Sequence, residues 1–274
     1  MDLALAAIRR GGEIALSYFR KGPRWHRKPD NTPVCEADLA VDEALRTMLL
    51  QARPDYGWLS EETRDDAARL HKKRVWVLDP VDGTRSYLSG EATWCISLAL
   101  VEDGKPVIGL IWAPALDRLW QAKAGDGAFE NGRAVHVSSR ENLKSARLIA
   151  PAFVHDPARW QTPWPEDVFT MRLPSLALRL AFVASAEVDG MFAPGRKSEW
   201  DLAAGDLIVR EAGGVISDAR GRPIVYNRED PHPYGVVAAN PSLHEKIVQR
   251  LAGLKPPARH GKRKTHATEK KRPS

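Results

Sequence analysis

The sequence predicts a layered α/β fold in which helices cover sheets. The chain has 274 residues, 43% hydrophobic and 28% charged, a globular composition sufficient for one large domain or two of ordinary size. Its apolar residues recur at helical spacing in some segments and form short β-rich runs in others. The predicted strands come in groups with helices between the groups, which favours stacked layers over the strict alternation of a Rossmann fold.

Two amphipathic helices are predicted at the start of the chain, over residues 2–20 and 36–52, with a proline-rich and charged loop between them. Apolar residues recur every three or four positions in both, and Pro54 closes the second. A short buried strand, residues 75–78, is predicted to end at Asp79-Pro80. A meander follows and ends in a glycine-rich turn, with its strands at residues 96–101, 106–112 and 119–122 and the turn at 125–132.

The second half of the chain alternates more regularly between strands and helices. Strands are predicted near residues 148–150, 188–192, 215–216 and 235–239, and helices near 175–185, 201–212 and 242–251. We therefore expect an N-terminal α+β half over residues 1–140 and a C-terminal α/β half over residues 141–254. Residues 255–274 are polar, charged and contain proline, so they cannot supply a core and are predicted to be a disordered basic tail.

The positive charge of the chain is concentrated in that tail. The formal net charge is +6, and residues 255–274 contain eight Lys or Arg against the single acid Glu269, a local balance of +7. Residues 1–254 therefore sum to −1. A nearly neutral body with a basic tail argues against a folded nucleic-acid-binding domain and leaves only non-specific attraction to polyanions.

Cysteine content and hydropathy indicate a protein of a reducing compartment. The two cysteines, Cys35 and Cys95, lie far apart and lack a CxxC partner, which excludes a disulfide scaffold and a thiolate zinc site. The apolar stretch from Leu3 to Ile8 stops at two arginines and is too short for a signal peptide, and other apolar runs are too short to span a membrane. We expect a cytoplasmic protein that does not associate with membranes.

The most specific motif is Asp79-Pro80-Val81-Asp82-Gly83-Thr84. Two carboxylates three residues apart, beyond a buried strand and around a proline, can converge on one point and suit Mg²⁺ as hard oxygen ligands. Gly83 and Thr84 add backbone amides and a hydroxyl that can receive a phosphate. The alternative is an Asp-Pro turn followed by an Asp-Gly turn with no chemical role.

Three further acids lie where loops meet regular elements. Glu61 follows the apolar pair Trp58-Leu59, so it can end a strand beside Asp79. Asp201 begins a helix of small residues, and Asp38 lies in the first turn of the second helix. Each has a structural alternative: a capped helix start at Glu61, a capping box from Ser198 to Asp201, and compensation of the helix dipole at Asp38.

The order and context of these acids resemble the inositol monophosphatase superfamily of Mg²⁺-dependent, lithium-sensitive phosphomonoesterases. The matching segments are spread over most of the first 254 residues: Pro33–Asp38, Ser60–Glu62, Asp79–Thr84 and Trp200–Gly205. The resemblance implies a layered αβαβα sandwich whose two halves share one cleft, and a homodimer. Within the superfamily, residues 54–63 are most similar to bacterial 3'(2'),5'-bisphosphate nucleotidases.

The resemblance also implies a role for each acid. Glu61, Asp79 and the carbonyl of Val81 would hold one Mg²⁺, and Asp82 and Asp201 would hold a second together with Asp79. Asp38 would support a third, weaker site near Glu61. Glu61 and Thr84 would position and deprotonate a metal-bound water, and the amides of Gly83 and Thr84 would receive the phosphate. Two cations that activate a water and neutralise a phosphate account for such a reaction without a Cys, Ser or His nucleophile.

The chain departs from the family pattern at two places, of which the second bears on the substrate. Position 35 is Cys where the family usually has Thr, which leaves the metal sites intact. Arg85-Ser86-Tyr87 follows the phosphate-binding turn, where inositol-phosphate members typically have Thr-Asn-Phe and many nucleotidases Lys-Glu-Phe, whereas Lys-Ser-Phe occurs among histidinol-phosphate phosphatases. Arg85 and Lys197 are candidate cations for a second phosphate on the rim of the site, or else solvated surface charges.

Three functional hypotheses follow from the sequence. The first is a Mg²⁺-dependent phosphomonoester hydrolase, with two or three ions, that removes the 3'-phosphate of 3'-phosphoadenosine 5'-phosphate or a related bisphosphate nucleotide. Inositol 1-phosphate and histidinol phosphate are the alternative substrates. The other two hypotheses are a polyanion-binding protein that acts through the basic tail, without specificity for a nucleic acid, and a catalytically silent homologue.

Overall fold

The computed structural model describes residues 1–29 and 31–255. Its helices alternate with groups of strands along the chain. The helices are α1 (Asp2–Tyr18), α2 (Glu36–Ala52), α3 (Thr84–Leu88), α4 (Leu176–Ala184), α5 (Glu199–Glu211) and α6 (Pro241–Ala252). The strands are β1 (Trp25–Arg27), β2 (Pro33–Cys35), β3 (Gly57–Ser60), β4 (Arg74–Asp82), β5 (Cys95–Glu102), β6 (Lys105–Ala113), β7 (Arg118–Lys123), β8 (Ala128–Glu130), β9 (Arg133–Ala134), β10 (Arg147–Ile149), β11 (Phe169–Met171), β12 (Gly190–Arg196), β13 (Val215–Ser217) and β14 (Tyr234–Ala239). No helix among the described residues is both long enough and apolar enough to cross a membrane.

A seven-stranded sheet forms the centre of the N-terminal half, with strands in chain order from β3 to β9. The first two strands are parallel and the rest are antiparallel. Both faces of the sheet are buried because its side chains alternate between two cores. On β4, Trp76 and Leu78 pack in the core that contains α1 and α2, while Val75 and Val77 face the opposite core.

A five-stranded sheet of order β11-β10-β12-β14-β13 forms the second layer of strands. Helices α4 and α5 lie between the two sheets, and residues from both helices and both sheets share one core. Gly205 on α5 permits this packing, since a Cβ there would lie 2.5 Å from Leu180 of α4. Helix α6 covers the outer face of the five-stranded sheet. The layers are therefore α1 and α2, sheet, α4 and α5, sheet, and α6, which confirms the αβαβα sandwich.

The two sheets occupy residues 57–134 and 147–239, on either side of the boundary expected at residue 140. The division into two folding units stays a prediction. The basic tail lies outside the described residues except for Lys255, whose N–H donates to the carbonyl of Arg159 at 2.8 Å.

Three sequence predictions need correction. The strand expected to stop at Asp79-Pro80 continues to Asp82, because Pro80 lies in a bulge where its missing N–H removes no ladder bond. The loop after α1 contains the β1–β2 hairpin, whose first strand is fully exposed and so shows no apolar alternation. The meander does not end at the glycine-rich turn but continues through β8 and β9, which are joined by a tight turn at Asn131-Gly132.

Candidate metal centre

The carboxyl ends of β3 and β4 bring Glu61 and Asp79 together. The strands are parallel, with Ser60 paired to Leu78, so the residues that follow each of these lie side by side. The Glu61 N–H donates to the Leu78 carbonyl at 3.3 Å, which keeps the chain at the sheet edge for one residue beyond β3. Glu61 thus lies at a strand end beside Asp79, as expected from the sequence.

A β-bulge turns Asp79 and Asp82 toward the same point. Residues three apart on a regular strand face opposite sides of the sheet. Here the pairing with β5 shifts register between Asp79 and Asp82, and the Val81 N–H donates to Asp79 Oδ1 at 3.0 Å within the bulge. The irregular backbone thus lets both carboxylates serve one site.

The start of α4 holds one oxygen of Asp82. Asp82 Oδ2 accepts hydrogen bonds from the Ser175 hydroxyl at 2.7 Å and from the Ala177 N–H at 2.5 Å. Ser175 is also the N-cap of α4, where its oxygen accepts from the Leu178 N–H at 3.1 Å. The carboxylate of Asp82 is therefore fixed by a helix of the C-terminal half, although the residue belongs to the N-terminal half.

Asp201 in the first turn of α5 completes a carboxylate triad with Asp79 and Asp82. One carboxylate oxygen from each of the three lies within 4.8 Å of the others. Asp201 Oδ2 also accepts from the Ser198 N–H at 3.3 Å in a capping box. Asp201 therefore also forms the capping box that is the structural alternative for this residue, since capping uses one carboxylate oxygen and the cluster can use the other.

The triad is electrostatically unfavourable without a cation. The pKa values of Asp79, Asp82 and Asp201 are all raised, and burial is the largest cause at each. The charge of Glu61 adds to the rise at Asp79, and the charge of Asp82 adds to it at Asp201. Buried carboxylates that converge in this way ionise fully only beside positive charge, and an oxygen-only donor set fits a hard cation such as Mg²⁺.

Asp38 and Thr84 lie close to the bulge, where the Thr84 hydroxyl is near both Asp38 and the Val81 carbonyl. Asp38 is buried and its Oδ2 accepts from the N–H of Cys35, the N-cap of α2, at 2.8 Å, so Cys at this position preserves the helix cap. Burial raises the pKa of Asp38 to about 6. The Thr84 hydroxyl lies 3.1 Å from the Val81 carbonyl oxygen and 3.5 Å from Asp38 Oδ1, with either as its acceptor.

Glu61 contacts Lys28, a residue outside the sequence motifs of the site. Lys28 Nζ donates to Glu61 Oε1 at 2.9 Å and to Glu62 Oε1 at 2.7 Å. Burial lowers the pKa of Lys28, but the attraction of the two carboxylates exceeds that effect and the net shift is upward. Burial raises the pKa of Glu62 to about 7. Glu61 is therefore paired with an ammonium group and does not belong to the triad itself.

The turn after Asp82 leads directly into the short helix α3. Gly83 has φ 98° and is the N-cap of α3, where a Cβ would lie 3.1 Å from the Thr93 carbonyl oxygen. The side chain of Arg85 is exposed. Lys197 is half-buried, and burial lowers its pKa while Asp201 opposes that shift. Lys197 is thus within electrostatic reach of the triad.

A cavity of about 780 Å³ adjoins this turn. Its lining includes Thr93, whose carbonyl oxygen would meet a Cβ at position 83, and Pro174, which precedes the Ser175 that binds Asp82. Arg179 of α4 also lines the cavity. Its guanidinium donates to the carbonyls of Leu173 at 2.6 Å and Pro174 at 3.2 Å. The cavity has room for the organic part of a small substrate.

Several residues that shape the site carry no signal in the sequence. Lys28 lies in an irregular loop, and its partners are more than thirty positions away. Asp42, buried on α2, accepts hydrogen bonds from the hydroxyls of Ser60 and Thr63 and so holds the Glu61 segment against that helix. Ser175 is the exception, because a serine just before an apolar helical run is a recognisable N-cap.

Comparison with known proteins gives a consistent result. A sequence model described as the inositol monophosphatase family matches residues 1–255. A histidinol-phosphatase of Mycobacterium tuberculosis is 36% identical over 263 residues, which cover 91% of this chain and 96% of that protein. An inositol-1-monophosphatase of Mesorhizobium japonicum is 36% identical over 196 residues, covering 69% and 73%. The solved structure of an IMPase from Thermotoga maritima superposes with a TM-score of 0.80 at 26% identity, covering 92% of this chain and 96% of that one.

Proposed function

Because the chain belongs to the inositol monophosphatase family, we propose that it hydrolyses phosphate monoesters in a Mg²⁺-dependent reaction. The observation that carries the proposal is the convergence of Asp79, Asp82 and Asp201, three carboxylates from separate elements whose oxygens lie within 4.8 Å of one another. Clustering of this kind is costly for folding and is expected where a cation does chemistry.

We assign the ligands in two overlapping sets. Glu61, Asp79 and the Val81 carbonyl would hold one Mg²⁺, and Asp79, Asp82 and Asp201 would hold a second. Asp38 would support a third ion near Glu61, for which Lys28 must release the Glu61 carboxylate. Bound Mg²⁺ supplies positive charge that neutralises the phosphate and lowers the pKa of a water molecule.

The remaining roles belong to the chain itself. The Thr84 hydroxyl donates its proton to the Val81 carbonyl or to Asp38, so its oxygen lone pairs are free to accept a hydrogen bond from the attacking water. Glu61 is the second acceptor for that water and the base that takes its proton. The amides of Gly83 and Thr84, at the turn into α3, receive the oxygens of the phosphate.

For the substrate we place histidinol phosphate first. A relative named histidinol-phosphatase is 36% identical over almost the whole chain, and Arg85-Ser86-Tyr87 is similar to the pattern of that class. A 3'(2'),5'-bisphosphate nucleotide, expected from residues 54–63, is the second candidate, and half-buried Lys197 is the cation that would favour it. Inositol 1-phosphate is the third, from the Mesorhizobium japonicum relative.

Release of inorganic phosphate tests the activity and the substrate together. Histidinol phosphate, 3'-phosphoadenosine 5'-phosphate and inositol 1-phosphate are compared by kcat/KM, each with EDTA and with saturating Mg²⁺. We expect release that requires Mg²⁺ and a preference of at least about tenfold for one substrate, the size of a single binding difference of roughly 1.4 kcal/mol. Equal release with EDTA, or none from any of the three, contradicts the proposal.

Two further properties belong to the same proposal. Inhibition by Li⁺ is expected from the family resemblance and is measured in the same assay at fixed Mg²⁺. We also place the protein in the cytoplasm, because Cys35 and Cys95 are both free and buried, as expected in a reducing compartment. Burial raises the pKa of Cys35 to about 12, so its thiol is unreactive at neutral pH.

A further inference from the structure

A buried arginine joins two segments that lead away from the carboxylates. Arg69, in a short 3₁₀ helix (Ala67–His71), has a side chain only 1% exposed. Its Nε and Nη2 donate to the two carboxylate oxygens of Asp65 at 2.6 and 2.8 Å. Asp65 lies four residues after Glu61, so this pair fixes the far end of the segment that carries Glu61.

The same guanidinium reaches the C-terminal half. Arg69 Nη1 donates to Asn227 Oδ1 at 2.7 Å, and Nη2 donates to the Arg228 carbonyl at 2.9 Å. Asn227 in turn donates from its Nδ2 to the Arg69 carbonyl at 3.2 Å. The link is therefore reciprocal and involves both the backbone and the side chains of its partners.

The loop that Arg69 holds is itself fixed to the start of α5. The N–H groups of Asn227 and Arg228 donate to the two carboxylate oxygens of Glu199 at 2.7 and 3.0 Å. Glu199 is fully buried and is the first residue of α5, two positions before Asp201. A continuous chain of hydrogen bonds thus runs from the Glu61 segment, through Arg69 and Asn227, to the helix that carries Asp201.

We propose that Arg69 is a positioning residue that fixes Glu61 relative to Asp201. This inference rests on the proposed metal-dependent hydrolysis. Other polar contacts of the Glu61 segment, from Ser60 and Thr63 to Asp42 and from Lys28 to Glu61 and Glu62, stay within the N-terminal half. The Arg69 link crosses to the C-terminal half, where Asp201 originates. Groups that orient ligands in this way commonly change metal affinity by 10- to 100-fold when removed.

The test is direct metal binding by the whole chain. Titration calorimetry with Mg²⁺ as the probe, on metal-free protein, compares wild type with Arg69→Met. We expect the variant to bind Mg²⁺ at least about tenfold more weakly. In the phosphate-release assay it needs a correspondingly higher Mg²⁺ concentration for half-maximal rate, while kcat at saturating Mg²⁺ changes less than that.

Arg118→Met is the matched control. Arg118 also joins the two halves, pairing with Glu130 at 2.6 Å and with Glu187, but Glu187 follows the end of α4 that points away from Asp82. Its loss should lower Tm with Mg²⁺ affinity within about twofold of wild type. Equal weakening of Mg²⁺ binding in both variants would mean that general loosening is the cause, and would overturn the proposal.

Asn227→Gly tests the same link if Arg69→Met does not fold. Asn227 has φ 57°, which glycine adopts freely, so this variant loses the side-chain bonds to Arg69 without backbone strain. Mg²⁺ affinity within twofold of wild type in Asn227→Gly, and in Arg69→Met where it folds, overturns the positioning role. Failure of the proposed function looks different, because then the wild type itself neither binds Mg²⁺ nor releases phosphate.

Discussion

Asp79 occupies the one position in the site that both proposed metal-ligand sets share. It is 1% exposed, and after burial the charge of Glu61 is the next cause of its raised pKa. Replacing it with Asn keeps the hydrogen bond from the Val81 N–H to an oxygen at the same place. The substitution therefore removes charge while it preserves shape.

Asp79→Asn should lower kcat by about a thousandfold or more, the size of losses that follow removal of a dominant electrostatic contribution. Phosphate release at saturating Mg²⁺ measures it, and circular dichroism verifies the fold. Near-normal turnover in this variant would refute the assignment of the site.

Asp79→Asn should also stabilise the metal-free protein, and more so as the pH rises. The pKa of Asp79 is raised in the folded state, so folding binds protons and the free energy of unfolding falls as the pH rises above the unfolded pKa of about 4. Asn cannot ionise and escapes this loss. Melting of both proteins in EDTA should give similar Tm values near about pH 4 and a higher Tm for the variant at about pH 8. A Tm difference that is constant or reversed would contradict it.

Lys197→Ala separates the substrate candidates at a single residue. If a bisphosphate nucleotide binds, its second phosphate loses a charge-assisted hydrogen bond worth roughly 1.5–3 kcal/mol. KM for 3'-phosphoadenosine 5'-phosphate should then rise about tenfold or more, with little change for histidinol phosphate, which serves as the internal control. Equal changes in KM for the two substrates would exclude a role for Lys197 in recognising a second phosphate.

At the scale of elements, the N-terminus of α4 fixes one oxygen of Asp82. Ser175→Ala removes a hydrogen bond to that oxygen and the N-cap together. We expect kcat/KM to fall by about tenfold and the free energy of unfolding by about 1 kcal/mol. Asn240→Ala, which removes the cap of α6, is the control for lost stability. If Asn240→Ala lowers kcat/KM as much as Ser175→Ala does, the bond to Asp82 has no specific role.

The sequence predicts elements well where burial is periodic. The bounds of helices α2 and α4 and of strands β5 to β7 agree with the predicted bounds within one or two residues. Each helix buries a stripe of apolar residues and each strand buries apolar residues on both faces, so the pattern is visible in the sequence. The strand Trp25–Arg27 and the edge strand Phe169–Met171 are not predicted, because three residues, none of them buried, are too few to show a pattern.

Residues that join the site only through contacts with distant positions could not be predicted from the sequence. The candidate carboxylates were recognisable because each lies at the junction of a loop and a regular element, and the resemblance to a family then implied a role for each. Lys28 and Arg69 could not be found in this way, since a single cation in an irregular segment has no periodicity. The partners of Arg69 at Asn227 and Arg228 are about 160 positions away in the sequence.

At the scale of the whole molecule, the charged tail and the site are separate in the sequence. A chain ending at Lys255 retains every contact described and loses the whole formal net charge of +6, because residues 256–274 contain seven Lys or Arg and one Glu. We expect unchanged kcat and Tm and weaker, salt-sensitive retention on a polyanion column. A large loss of activity at matched Mg²⁺ would show that the tail contributes to the site, and would refute the prediction that it is disordered.

The site combines residues from both halves of the chain, and this affects how the protein folds during synthesis. Asp79 and Asp82 leave the ribosome well before Ser175, which binds Asp82, and before Asp201. Joining contacts so far apart requires closure of a long loop, a slow step in folding. On the proposed function, Mg²⁺ that binds the triad would not nucleate the fold but would stabilise the finished chain by mass action. An unfinished or misassembled chain would gain nothing from the metal, which makes Mg²⁺-dependent resistance to proteolysis a marker of completed folding.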